Sequence, residues 1–109
     1  MSRGLKVKAH RLGAGAEALR QARLLRRTPH IIPVLAALVT FYPMCATLQC
    51  LADRLGLTRG RVRNMVRNLK RRGMAEHQVG LFYDDGRLGG SGYAATTLGK
   101  VVSEILKEE

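Results

Sequence analysis

Residues 47–73, TLQCLADRLGLTRGRVRNMVRNLKRRG, leave the chain little choice of local structure. Thr47 is placed to cap a first helix, in which Leu48, Leu51, Ala52 and Leu55 recur at helical spacing until Gly56. Thr58 is placed to cap a second, in which Val62, Met65, Val66 and Leu69 keep that spacing until Gly73. The pattern predicts a short helix, a tight turn and a longer helix whose apolar stripes meet one core.

Charge then distinguishes the second helix from an ordinary one. From Thr58 to Gly73 there are seven bases (Arg59, Arg61, Arg63, Arg67, Lys70, Arg71 and Arg72) and no acid. At about 100° per residue, Gly60, Asn64, Arg67 and Arg71 point away from the apolar stripe, with Arg63 and Asn68 on its flanks. Solvated helices normally intersperse Glu with Lys or Arg for i,i+4 support, and this one does not. A face of Gly, Asn and unbalanced Arg repels itself unless a polyanion lies against it. The blander reading is a solvated basic face; the missing acids favour nucleic-acid contact over it.

The whole chain shows the same imbalance. It has 109 residues, a formal net charge of +11 and a pI near 10.9. Residues 1–29 hold eight bases against Glu17, and residues 30–57 hold only Arg54 and Asp53. After Gly73, three bases face six acids, so positive charge is concentrated in the N-terminal segment and the second motif helix. The length suits one domain with an appendage, which divides the chain into a basic arm and helix over 1–28 and a domain over 29–109. No apolar run reaches the 18 or so residues of a membrane span, and the N-terminus lacks a cleavable-signal layout, so no membrane partner and an intracellular, cytoplasmic location are expected.

In chain order, residues 1–13 read as a basic arm punctuated by Gly. Residues 14–27 read as an amphipathic helix, with Ala18, Leu19, Ala22 and Leu25 on one side and Arg20, Arg23, Arg26 and Arg27 on the other. Packing, pairing with a second copy and contact with an anionic surface are all open to it. Pro29 or Pro33 begins the next helix, Ile32 to Tyr42, which is apolar nearly all round and belongs in the core, and Pro43 ends it. Residues 44–46 form a connector with room for one extended stub. Beyond Gly73, residues 74–83 and 93–97 suit two strands, joined by the turn-forming loop DDGRLGGSG. Thr96 or Thr97 can cap a final helix, Leu98 to Lys107, with Val101, Val102, Ile105 and Leu106 apolar.

This order of helices, two-stranded wing and closing helix resembles a winged helix-turn-helix domain, a mainly α fold with a small β-hairpin. The residues most similar to MarR-type transcriptional regulators are LTRGRVRNMVRNLKRRGMAE (57–76) and YAATTLGKVV (93–102). The first resembles that family's recognition helix, with its Leu-x-x-x-Gly ending at Leu69 to Gly73. The second resembles its Leu-Thr-x-x-Gly signature, with Ala95 standing where that family has Leu. The likeness covers about residues 30–109, although the final helix is shorter than the family's usual dimerisation helix.

The resemblance implies a recognition helix over 59–72 in the major groove of double-stranded DNA and a wing over 75–97 on flanking backbone or minor groove. Gly60 then allows close backbone approach, and Arg59, Arg63 and Asn64 are candidates for base edges. Arg61, Arg67, Asn68, Lys70 and Arg71 are candidates for phosphate, as is the hydroxyl of Thr58 beyond its cap role. Arg87 at the wing tip is a candidate for phosphate or the minor groove. A homodimer through the N- and C-terminal helices is a further expectation, with no effector site recognisable.

Other residues invite sharper stories that weaken on inspection. Cys45 and Cys50 lack a second pair for a tetrahedral site, and ordinary cysteines account for them. His10, His30 and His77 are scattered. Asp84 and Asp85 suit a turn better than a metal, and Phe82, Tyr83 and Tyr93 suit cross-strand packing. GRLGGSG lacks the Lys-Ser/Thr and the strand-then-helix context of a phosphate loop. With no paired carboxylates and no nucleophile triad, the chain reads as a binding protein without catalysis or cofactor. A sequence-specific transcriptional regulator is the leading expectation. The alternatives are a low-specificity architectural or replication accessory protein, a winged-helix protein-interaction adaptor, and a binder of RNA duplex by shape.

Overall fold

The computed structural model describes residues 14–79 and 91–108. In order these form α1 (Ala14–Leu25), a 3-10 turn (Pro29–Ile31), α2 (Ile32–Phe41), α3 (Leu48–Leu55), α4 (Arg59–Arg71), β1 (Ala75–Val79), β2 (Ser91–Ala95) and α5 (Thr97–Lys107). The order of elements is the expected one, and the boundaries move by a few residues for local reasons.

α1 stops at Leu25, two residues early, because Thr28 precedes Pro29. A residue before proline is pushed out of the helical region, and Thr28 sits at φ −131° and ψ 66°. Arg26 and Arg27 close as a turn instead, their amides donating to the carbonyls of Ala22 and Leu24. Both prolines are used at helix starts: Pro29 opens the 3-10 turn and Pro33 lies in the first turn of α2. β2 ends at Ala95 rather than Thr97, since Thr96 caps α5, its side chain accepting from the Gly99 amide.

α2 is the centre of the molecule. Val34, Leu35 and Leu38 have no exposed surface, and α2 packs against α3, α4, α5 and β2. Each such side chain contributes about 1.5–3 kcal/mol of burial energy. The same cluster takes in Ala18, Ala22 and Leu25 of α1, Leu51 of α3, Val62, Val66 and Leu69 of α4, and Val102 and Ile105 of α5. α1 lies mainly against α5. One expected core position fails: Leu19 is 46% exposed, whereas Gln21 is buried. At about 100° per residue Leu19 falls about 60° beyond one edge of the Ala18–Ala22–Leu25 arc, whereas Gln21 falls about 40° beyond the other, nearer the covered side. Gln21 is accommodated by donating Nε2 to Glu17 Oε2 at 2.8 Å.

β1 and β2 pair antiparallel, with Ala75 opposite Ala95, His77 opposite Tyr93 and Val79 opposite Ser91. The connector before α3 supplies the expected stub. Ala46 exchanges both backbone hydrogen bonds with Tyr93 at 2.8 Å, so β2 is held on its two edges. Gly99 packs so closely that a Cβ there would collide with the backbone carbonyl of Met74. Residues 1–13, 80–90 and 109 lie outside the described residues, and with them Phe82, Tyr83, Asp84, Asp85, Arg87 and the end of the strand expected over 74–83. Among the described residues no single helix is long and apolar enough to cross a membrane.

Candidate nucleic-acid interface

Two threonine caps and two left-handed glycines fix the angle at which α4 is presented. Thr47 Oγ1 accepts from the Cys50 amide at 3.1 Å and Thr58 Oγ1 from the Arg61 amide at 3.3 Å. Such caps satisfy orphan donors at a helix start and contribute about 1 kcal/mol each. Gly56 ends α3 at φ 69°, and the next amide, of Leu57, donates back to Ala52. At the far end of α4, Gly73 adopts φ 82°. There Met74 N donates to Leu69 O at 2.9 Å and Gly73 N to Lys70 O at 3.0 Å, the paired bonds of a Schellman ending.

With the ends fixed, the wheel places the rest. Val62, Val66 and Leu69 are fully buried and Met65 is buried beside them, in contact with α3, β1 and α2. Arg59, Gly60, Arg61, Asn64, Arg67, Lys70 and Arg71 are all exposed, as is Thr58. Arg63 and Asn68 are half-buried on the flanks. Ten of the eleven expected site residues therefore form one continuous surface, and the eleventh, Arg87, lies outside the described residues.

The electrostatics of this surface are one-sided. No ion pair joins an α4 base to an acid among the described residues. The one acid of the two-helix motif, Asp53, sits on α3 and accepts from Gln49 at 2.8 Å. A guanidinium fork without a carboxylate partner suits phosphate or a guanine edge. Gly60 has nothing within 4 Å of where a Cβ would stand, so its outer side is open for backbone approach.

Arg72 behaves differently from the other six bases. It caps α4 at φ −90° and ψ 3°, is half-buried, and holds Nη1 enclosed without a hydrogen-bond partner among the described residues. Asn68, one turn earlier, has Oδ1 enclosed in the same way, which leaves its Nδ2 as the group able to reach outward. Sequence reasoning counted Arg72 only as charge; the signal that could have placed it is its i+3 spacing from buried Leu69.

The wing rises directly from the end of α4. The rings of His77 and Tyr93 meet across the strands at 4.9 Å, an ordinary cross-strand pair. Val79, the last described residue of β1, is 72% exposed. Cys45 is half-buried and Cys50 exposed, both free thiols. No group of three His, Cys, Asp or Glu suited to a metal occurs among the described residues.

No protein-family model matches the chain, and no curated protein matches it. Solved structures do. The MepR–DNA complex of Staphylococcus aureus is similar with a TM-score of 0.64 at 18% identity, over 99% of this chain and 82% of that one. MepR described as a transcription regulator of the Staphylococcus aureus multidrug efflux pump MepA gives 0.63 at 18% identity, over 98% of this chain and 73% of that one. A mutant of MepR from the same organism gives 0.64 at 20% identity, over 98% and 74%. At these identities the likeness establishes the fold alone: a mainly helical winged helix-turn-helix like that of MepR, with a two-stranded hairpin between α4 and α5.

Proposed function

We propose that this chain is a sequence-specific double-stranded DNA-binding protein acting as a transcriptional regulator, with α4 in the major groove and the hairpin on flanking backbone or minor groove. The observation that carries the proposal is the outer face of α4: Gly60, Asn64, Arg67 and Arg71 exposed together, on a helix without an acid. The fold adds support, because MepR is described as a transcription regulator and one similar structure is its DNA complex. A pure adaptor has no need of that face.

Within the proposal the roles divide by position. Arg59, Arg63 and Asn64, in the N-terminal half of α4, address base edges. Arg61, Arg67, Asn68, Lys70 and Arg71 address phosphate and set register, with Thr58 adjoining them and Arg87 reaching from the wing. Pairing of two copies through the N- and C-terminal helices belongs to the same proposal, as does an intracellular location. A dimer places two recognition helices about one turn of DNA apart.

Selection from a randomised duplex pool, followed by binding to selected and scrambled sites across a salt series, tests the reading. A single enriched motif, preferred by roughly a thousandfold or more, supports it. Equal binding to all duplexes, abolished steeply by salt, gives the architectural reading instead. No binding at low salt removes DNA as the partner.

A further inference from the structure

The outward side of α1 carries a stripe of exposed arginines. Ala18, Gln21, Ala22 and Leu25 face inward and are at most 5% exposed. On the opposite side of the wheel lie Ala16, Arg20, Arg23 and Arg27, all exposed. The helical sense runs on far enough to include Arg27, whose amide donates to the Leu24 carbonyl at 3.0 Å. Arg20 is paired with Glu17, Nη2 to Oε2 at 2.8 Å. Arg23 and Arg27 have no acidic partner among the described residues.

This stripe is separate from the α4 surface. α1 packs mainly on α5, whereas α4 packs on α3, β1 and α2, and α1 and α4 share at most a marginal contact. The sequence between them, residues 30–57, is neutral overall. Three occupants are conceivable for the stripe, and two are disfavoured on physical grounds. A bilayer would need the apolar face of α1, which is already used in the core. A second copy seated stripe to stripe would set arginines against arginines. The backbone of a nucleic acid needs only phosphate, which guanidinium groups hold by charge-assisted, often bidentate bonds. Arg23 to Arg27 spans roughly 6 Å at the helical rise. A duplex presents about one charge per 1.7 Å of axis, more than enough to match two arginines over that length.

We propose that Arg23 and Arg27 form a second, sequence-independent site for duplex backbone, so that one chain holds two DNA segments together. The inference rests on the reading that α4 grips a first duplex. It makes the chain a bridging protein as well as a reader of sequence.

The test uses the full chain with one duplex fixed to beads and a second, fluorescent duplex of unrelated sequence in solution. Recovery of fluorescence on the beads reads bridging, anisotropy with one duplex reads simple affinity, and sedimentation reads the number of copies. The variants are R23E/R27E in α1 and R67A/R71A in α4, both at exposed positions and both checked for helicity by circular dichroism. The wild type is expected to bridge. R23E/R27E should lose bridging by on the order of tenfold or more, with simple affinity changed less than about threefold and copy number unchanged. R67A/R71A should lose both. Single-duplex binding without bridging in the wild type overturns this inference alone, as does unaltered bridging by R23E/R27E. Loss of bridging only in step with copy number, or an equal fall in simple affinity, also overturns it by placing the arginine stripe itself in a contact between copies or on the first duplex. Absence of any duplex binding by the wild type overturns both this inference and the α4 reading.

Discussion

Thr96 fastens the end of α4 to the start of α5: its hydroxyl donates to the Gly73 carbonyl at 2.6 Å and accepts from the Gly99 amide at 3.1 Å. One side chain thus terminates α4 and begins α5, and its own amide donates to Met74 at 3.1 Å. Thr96→Ala should cost about 1–2 kcal/mol, a lost cap together with an orphaned carbonyl. Thr96→Ser keeps the hydroxyl and should recover most of that. Urea denaturation of the two variants checks this; an unchanged midpoint for Thr96→Ala would mean that solvent replaces both bonds.

Two helical glycines should respond to alanine with opposite sign. Gly60 has open space around it, so Gly60→Ala should stabilise the fold by up to about 1 kcal/mol through helix propensity. The same methyl group would stand between α4 and a groove, so DNA affinity should fall while stability rises. Gly99→Ala drives a Cβ into the Met74 carbonyl, a backbone atom that cannot swing aside. It should destabilise by roughly 1–3 kcal/mol, as overpacked cores do. Thermal melts with and without duplex separate the two effects, and a Gly60→Ala variant that gains stability without losing affinity would remove backbone approach from the proposal.

On α4 itself, position along the helix should decide the kind of defect. Asn64→Ala should reduce discrimination among sites by about 1–3 kcal/mol while leaving scrambled DNA bound as before. Arg71→Ala should weaken selected and scrambled sites alike and lower the salt slope by about one. Competition assays at several salt concentrations measure both. Indistinguishable behaviour of the two variants would sink the division between reading and gripping.

Acid should loosen α1 through one carboxylate. The Gln21 amide, and then the Arg20 guanidinium, hold the Glu17 carboxyl below its ordinary value of 4.5. A depressed carboxylate pKa adds stability above the unfolded value, and that stability is lost as pH falls through the folded value. The contribution should therefore be intact near neutrality and disappear only below the usual carboxylate range. Glu17→Gln should flatten this acid limb. Carboxyl carbon shifts followed by NMR during an acid titration give the direct measurement, and a Glu17 midpoint at or above 4.5 would contradict it.

The elements that were legible in the sequence are those whose chemistry is local. Thr47, Thr58 and Thr96 cap, and Gly56 and Gly73 terminate, because a hydroxyl beside a free amide or a left-handed glycine acts within five residues. The exposed face of α4 was legible for a similar reason, since Val62, Met65, Val66 and Leu69 leave only one side free. What the sequence hid depends on partners far away along the chain. Leu19 reads as core until α5 defines which arc of α1 is covered, and the same packing encloses Gln21. Gly99 has no visible structural reason until Met74 is found pressed against it. Arg72 reads as one more base until its guanidinium is found half enclosed at the helix end.

The two bonds between Ala46 and Tyr93 have a consequence for the speed of encounter. They tie the approach to α3 to β2, so the two-helix motif and the base of the hairpin are parts of one body before any partner arrives. Little ordering entropy then has to be met at the described part of the interface on association. The rate of capture should follow diffusion and electrostatic steering, with no slow folding step in front of it.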